Sequence, residues 1–288
     1  MHSSNPVFSR NDAYNGRSSS VQTDPSQWTV DTNAQPGYAP PAGASSDRMT
    51  IDSVVEKTAV TLGIVVAAAA VAWVVIGQVI VGENSIGQTV VDQAALNRAF
   101  AFAAVGAIVG LVLSLVNSFK KVISPALVIA YAVFQGVFVG ALSKVVSTYV
   151  GDVSIVFQAI VGTFVAFGAT LAAYKFFNIQ VTDRFRKVVT IAVFAFAGAV
   201  LLNLLLSVTG VVDDGGLRGF NMLGLAVSAI AVVLAVLMLV LDFDYVEKGV
   251  EAGLPQRESW RAAFGLTVTL IWLYIEILRI LAILRGSD

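Results

Sequence analysis

The sequence predicts an all-α integral membrane protein, a bundle of seven transmembrane helices, and three observations carry that prediction. Of 288 residues, 57% are hydrophobic and only 13% charged, where a soluble domain carries about 25% charged residues. The mean hydropathy is +0.80. The apolar residues fall into seven runs, at 58–81, 99–116, 122–142, 153–173, 188–208, 219–241 and 262–284, against the roughly 20 residues that a span needs. Each run must be helical, because an open strand edge in lipid leaves its backbone groups unpaired.

The elements follow in order. Residues 1–47 are rich in Ser, Asn, Gly, Pro and Asp, a composition that cannot bury enough apolar surface to offset its ordering entropy. They read as a disordered polar tail without the apolar core of a signal peptide. The segment 48–57, containing MTIDSVVEK, reads as a short interfacial helix with Val54 and Val55 on the membrane and Asp52 and Glu56 in water. The membrane domain then runs over 58–285. Only residues 117–121 separate the second span from the third, so those two form a tight hairpin. Gly106 and Gly110 in the second span, and Gly136 and Gly140 in the third, are spaced for close helix approach. A glycine-lined conduction path is the alternative use of the same residues.

Lys and Arg in short loops set orientation. Arg48, Lys57, Lys120, Lys121, Lys175, Arg184, Arg186, Lys187, Lys248, Arg257 and Arg261 fall on the N-terminal side, against Arg98, Lys144, Arg218 and Arg285 on the other. The bias puts the N-terminus in the cytosol and, with seven spans, the C-terminus outside.

Several function classes fall away. There is no cysteine, the only histidine is His2 in the tail, and the net charge is −1. Thiolate chemistry, histidine metal sites and nucleic-acid binding have nothing to work with. Ser114 and Ser207 lie in spans that hold no histidine or lysine base, so an enzyme is not expected. The seventh span has no lysine for a Schiff base.

What needs explaining is charge inside the membrane, which costs about 2.5–3.5 kcal/mol per group on insertion scales. Glu276 sits within the last span, in WLYIEILRIL, with Arg279 three residues on and on the same face. Asp242 and Asp244 stand at the cytosolic end of the sixth, in VLDFDYVEKG. Two residues turn a helix by roughly 200°, so only one aspartate faces the interior. Gln135 and Asn203 are uncharged polar companions. One reading makes Glu276–Arg279 a self-contained pair and the aspartates a membrane boundary. The other is a buried carboxylate cluster that holds a proton or a hard cation such as calcium.

These residues resemble a family. The run SPALVIAYAVFQGVFVGAL (124–142) is similar to the third-helix signature of the Bax inhibitor-1/YccA-like family. Phe243-Asp244-Tyr245 looks like its Phe/Tyr-Asp-Thr element, and Leu273-Tyr274-Ile275-Glu276-Ile277 is similar to its Leu-Tyr-Leu-Asp-Ile element. The likeness covers about residues 48–285, and the start Asn5-Pro6-Val7-Phe8 resembles the actinobacterial branch. It implies a bundle with the last helix at the centre of six others, in the bacterial inner membrane. It also implies a pH-sensitive calcium leak without a cofactor, in which Asp244 and Glu276 share a proton and hold a pore shut. Calcium is then the transported ion, and the same two carboxylates are its expected ligands. The alternative is a non-conducting regulator that binds a membrane protease or another stress-response partner, with the tail as docking segment.

This sequence departs from the pattern in three places. The last acidic residue is Glu, position 279 is Arg, and the second span lacks the family's basic residue. Depth matters as well. Glu276 lies 14 residues beyond Ala262, about 21 Å into a regular helix, whereas Asp244 is near the cytosolic rim. The two meet only if the sixth helix dips or the seventh starts irregularly. Otherwise Glu276–Arg279 is the pair that matters, and the slightly deeper Asp242 can stand in for Asp244.

Overall fold

The computed structural model describes residues 48–83, 89–177, 179–212 and 215–286; the expected polar tail over 1–47, with His2, lies outside them. Among the described residues, seven helices are long and apolar enough to cross a membrane: α1 (Ile51–Ile76), α2 (Gln93–Phe119), α3 (Pro125–Val150), α4 (Ser154–Phe176), α5 (Asp183–Val208), α6 (Met222–Glu251) and α7 (Glu258–Gly286).

Local chemistry sets where they begin and end. Thr50 opens α1 with a reciprocal cap: its hydroxyl accepts from Ser53 N–H, and Ser53 Oγ accepts from Thr50 N–H, both at 3.1 Å. The helix therefore starts at Ile51 and runs unbroken into the first span. The separate interfacial element expected over 48–57 is its first two turns, and Val54 packs inward with Met49, Leu239 and Leu273 while Val55 stays exposed. At the other end α1 stops at Ile76, short of the expected Val81, because Gly77 adopts φ 81°. The chain then pairs β1 (Ile80–Glu83) with β2 (Thr89–Val91) in an antiparallel hairpin that the apolar pattern did not distinguish from helix. Asp92 caps α2, Pro125 begins α3, Thr182 caps α5 and Asn221 caps α6.

The last helix is central. Of its most apolar stretch 61% is buried, against 11% for α5, the most exposed helix. It packs on α1, α3, α4 and α6, while α2 lies outside on α3, and α5 chiefly on α6. The expected ring of six is thus four packed helices and two outriders. α1 and α7 run parallel in one register, joined by Ser53–Ser259 at 2.6 Å and Thr61–Thr267 at 2.9 Å. Ser53 and Thr61 also reach backbone carbonyls at the start of α1, and the hydroxyl pairs tie that helix to α7. The paired glycines are contact points. A Cβ at Gly106 would stand 2.8 Å from the Phe134 carbonyl oxygen, and one at Gly140 would stand 2.8 Å from the Ala69 Cα. They bring α2 to α3 and α3 to α1.

One face gathers the basic loops. Met49 N–H donates to the Leu254 carbonyl at 2.7 Å, and Arg261 donates to the Lys121 carbonyl at 2.8 Å. The start of α1, the α2–α3 corner and the α6–α7 corner therefore meet there. Arg218 and Arg285 lie at the opposite face, where Tyr149 stacks near Phe220 at 5.1 Å.

Candidate functional site

Intramembrane charge collects at two stations along α6 and α7. The first is at the basic face. Asp244 is buried, and its carboxylate accepts from Arg186 of α5 at 2.7 Å and from Lys248, one turn along α6, at 2.8 Å. Asp242 turns the other way, as the helical angle requires, and faces α7. There Thr269 donates its hydroxyl to Asp242 at 2.7 Å. Gly265 leaves room for the carboxylate, since a Cβ there would stand 3.4 Å from Asp242 Oδ1. No cation pairs with Asp242 among the described residues.

The second station lies deeper, toward the opposite face. Glu276 is 2% exposed. Its two carboxylate oxygens accept from one nitrogen, Arg218 Nη1, at 2.9 and 3.0 Å. Arg218 ends a tight turn, Gly216–Arg218, in the connection between α5 and α6. That connection folds back into the bundle because Asn203, within α5, holds it with both ends of its amide. Asn203 Nδ2 donates to the Gly215 carbonyl at 3.0 Å, and Leu217 N–H donates to Asn203 Oδ1 at 2.8 Å. Gly215 and Gly216 take φ 77° and 56°, left-handed backbone that other residues resist.

Arg279 is engaged elsewhere. It donates to the Gly219 carbonyl at 3.1 Å and lies 5.2 Å over the Phe220 ring. Three expectations therefore need correcting. Glu276 is not paired with Arg279: the i+3 spacing puts both on one side of α7, but the fold-back supplies a better-placed guanidinium. Nor do the carboxylates of Asp244 and Glu276 meet in this structure. Thr269, at the level of Asp242, and Glu276 are seven residues apart, about 10 Å of helix rise, and each carboxylate has its own partners. Asp242 does not stand in for Asp244 as the partner of Glu276 either. Among the described residues, no group of three or more histidines and carboxylates converges on a metal position.

Between the stations the bundle is dry. Leu239 of α6 and Leu270 and Leu273 of α7 are 0%, 4% and 0% exposed and belong to one packed cluster. A cavity of about 270 Å³ lies beside α7, walled by Leu62, Val65, Trp73, Ile160 and Tyr274. It is apolar and touches neither station. The element next to Glu276 is anchored by Tyr274, whose hydroxyl bonds Ser143 of α3 at 2.6 Å.

Arg186, Lys248, Thr269 and Arg218 escaped sequence reasoning as partners. Lys248 is spaced i+4 from Asp244, a signal that was available. Arg218 left only an indirect trace, a Gly-Gly pair just before it and a lone Asn203 within a span.

A protein-family model described as Bax inhibitor 1 like matches residues 5–286, wider than the 48–285 over which the motifs are recognisable. No curated protein matches the chain.

Proposed function

The chain belongs to the Bax inhibitor 1 like family, and on that premise we propose that it is a pH-sensitive cation leak pathway, for calcium, held shut in this conformation. The family is one of membrane channels and regulators rather than enzymes. One observation carries the reading: two acidic stations stand at either end of a dry layer, Leu239, Leu270 and Leu273, on the central pair α6 and α7. An ion that entered this layer would lose its water and find no oxygen in return. Carboxylates above and below it are suitable waiting positions for a hard cation.

The partners of the carboxylates suggest how protons act. A proton on Glu276 removes the charge that holds Arg218, and a proton on Asp244 removes the charge that holds Arg186 and Lys248. Acid thus loosens both ends, and the shut conformation belongs to the deprotonated state. We place the basic face in the cytosol of a bacterial inner membrane by the distribution of Lys and Arg.

The test is calcium entry into dye-loaded liposomes, with Leu273→Ser beside wild type. A hydroxyl in the dry layer should raise the flux several-fold. Equal flux would mean that the layer is not the barrier.

In a second reading, a non-conducting regulator that binds a membrane protease or another stress-response protein, the partner meets α5, the helix least covered by the rest of the bundle. Leu201, Leu202 and Leu205 of that helix are each more than half exposed, at 56%, 56% and 63%. A photocrosslinker at Leu202 that yields no protein adduct in native membranes would argue against it.

A further inference from the structure

Resting on the reading of Glu276 as a cation station, we propose that it is a binding site for a small cation, filled in the shut state by the chain's own Arg218, and that residues 215–221 form a tethered plug that must withdraw before the ion binds. Four attachments define the plug. Asn203 grips Gly215 and Leu217. Gly216 lies against Asn203, where a Cβ would stand 2.5 Å from Oδ1. The Gly219 carbonyl receives Arg279. Phe220 covers the Arg279 guanidinium. These are hydrogen bonds, a van der Waals contact and a ring contact, all of which can be broken and remade, and only Asn221 at the plug's end is tied to a helix ladder, its carbonyl accepting from Leu225 N–H at 2.9 Å.

Behind the plug lies a polar group that the guanidinium does not use. Ser228 of α6 is 0% exposed, and its hydroxyl has no hydrogen-bond partner among the described residues. α6 and α7 are antiparallel, and Gly224 adjoins Arg279, a Cβ there standing 3.5 Å from Nη2. One turn deeper on each helix brings Ser228 and Glu276 to the same depth. A buried carboxylate and an unused hydroxyl oxygen at one depth are donor types that suit a cation stripped of part of its water. Two fixed charges surround it, Arg218 from the plug and Arg279 from α7. With Arg279 turned to Gly219 and Phe220, Arg218 alone closes the site.

The absence of cysteine makes the test clean. In full-length protein reconstituted in liposomes, Arg218→Ala should raise basal calcium flux about tenfold, the response to losing one charge-assisted bond from a shut–open balance. Arg218→Lys should stay near wild type. Arg218→Cys should leak, and a methanethiosulfonate that attaches a trimethylammonium group should close it again, while one that attaches a sulfonate should not. A wild-type flux for Arg218→Ala, as would follow if Arg279 swung over to Glu276, overturns the plug. A second measurement does not depend on conduction. Ser228→Cys should react with a membrane-impermeant thiol reagent about tenfold faster when Arg218 is also Ala. Equal labelling rates overturn the plug even in a conducting protein. Faster labelling without flux in any variant keeps the plug and removes the leak reading.

Discussion

Arg218 reaches Glu276 from 58 residues upstream and meets both of its carboxylate oxygens with a single nitrogen. The pair is almost dry, with side-chain exposures of 19% and 3%. Removing one member of such a pair strands the other, which costs about 3–5 kcal/mol. Glu276→Ala should therefore lower the thermal stability of the detergent-solubilised protein markedly, and Arg218→Met combined with Glu276→Met should recover most of the loss. A double variant as unstable as the single one would show that the two residues do not act on each other.

Asp244 should behave differently. Its partners Arg186 and Lys248 are 48% and 53% exposed, so they can rehydrate when the carboxylate goes. Asp244→Asn should cost about 1 kcal/mol or less, and added salt should shrink the difference. Combined with Glu276→Gln, the effects should add to within about 0.5 kcal/mol, as for distant sites. Strong coupling in that cycle would restore the shared proton that the family resemblance implies.

Thr269 is the partner that satisfies Asp242. Thr269→Val keeps the shape and removes the donor, leaving a buried carboxyl unsatisfied at about 1–3 kcal/mol. Thr269→Ser should restore stability. The check is thermal unfolding of the three proteins side by side, and equal stabilities would mean that Asp242 finds another donor.

Outside the membrane, Asp152 in the α3–α4 corner receives hydrogen bonds from the Ser154 hydroxyl and backbone and pairs with Arg285. The Ser154 bonds, with help from Arg285, hold its carboxyl below the usual aspartate range. A depressed folded value means that the contribution is present above the unfolded value and is lost as pH falls through the folded one. Ser154→Ala should move the Asp152 titration upward in an NMR titration of its carboxyl carbon. An unchanged midpoint would remove Ser154 as the cause.

The spans were legible because length and apolarity are local properties of the chain, and the burial of Glu276 was legible because the last span carries it far from either rim. Boundaries were less so. A capping box extends α1 backward to Ile51, and Gly77 ends it at Ile76, decisions made by single residues within apolar runs. The acidic residues were visible; their partners were not. Arg279 sits three residues from Glu276, and nothing nearby shows that its guanidinium turns to the Gly219 carbonyl. Arg218 reads as an ordinary loop cation until Asn203 folds its segment inward. Thr269 reads as one more small residue of a span. In each case the deciding contact lies far away in sequence, where periodicity and composition carry no information.

The most direct measurement is calcium flux into liposomes holding wild type or Glu276→Gln, stepped from neutral to acidic pH. A leak gated at Glu276 predicts a wild-type flux that rises on acidification and a Glu276→Gln flux that keeps only the weaker pH dependence contributed by Asp244. A wild-type protein that passes no calcium at any pH, or one whose flux ignores both the pH step and the substitution, would contradict it.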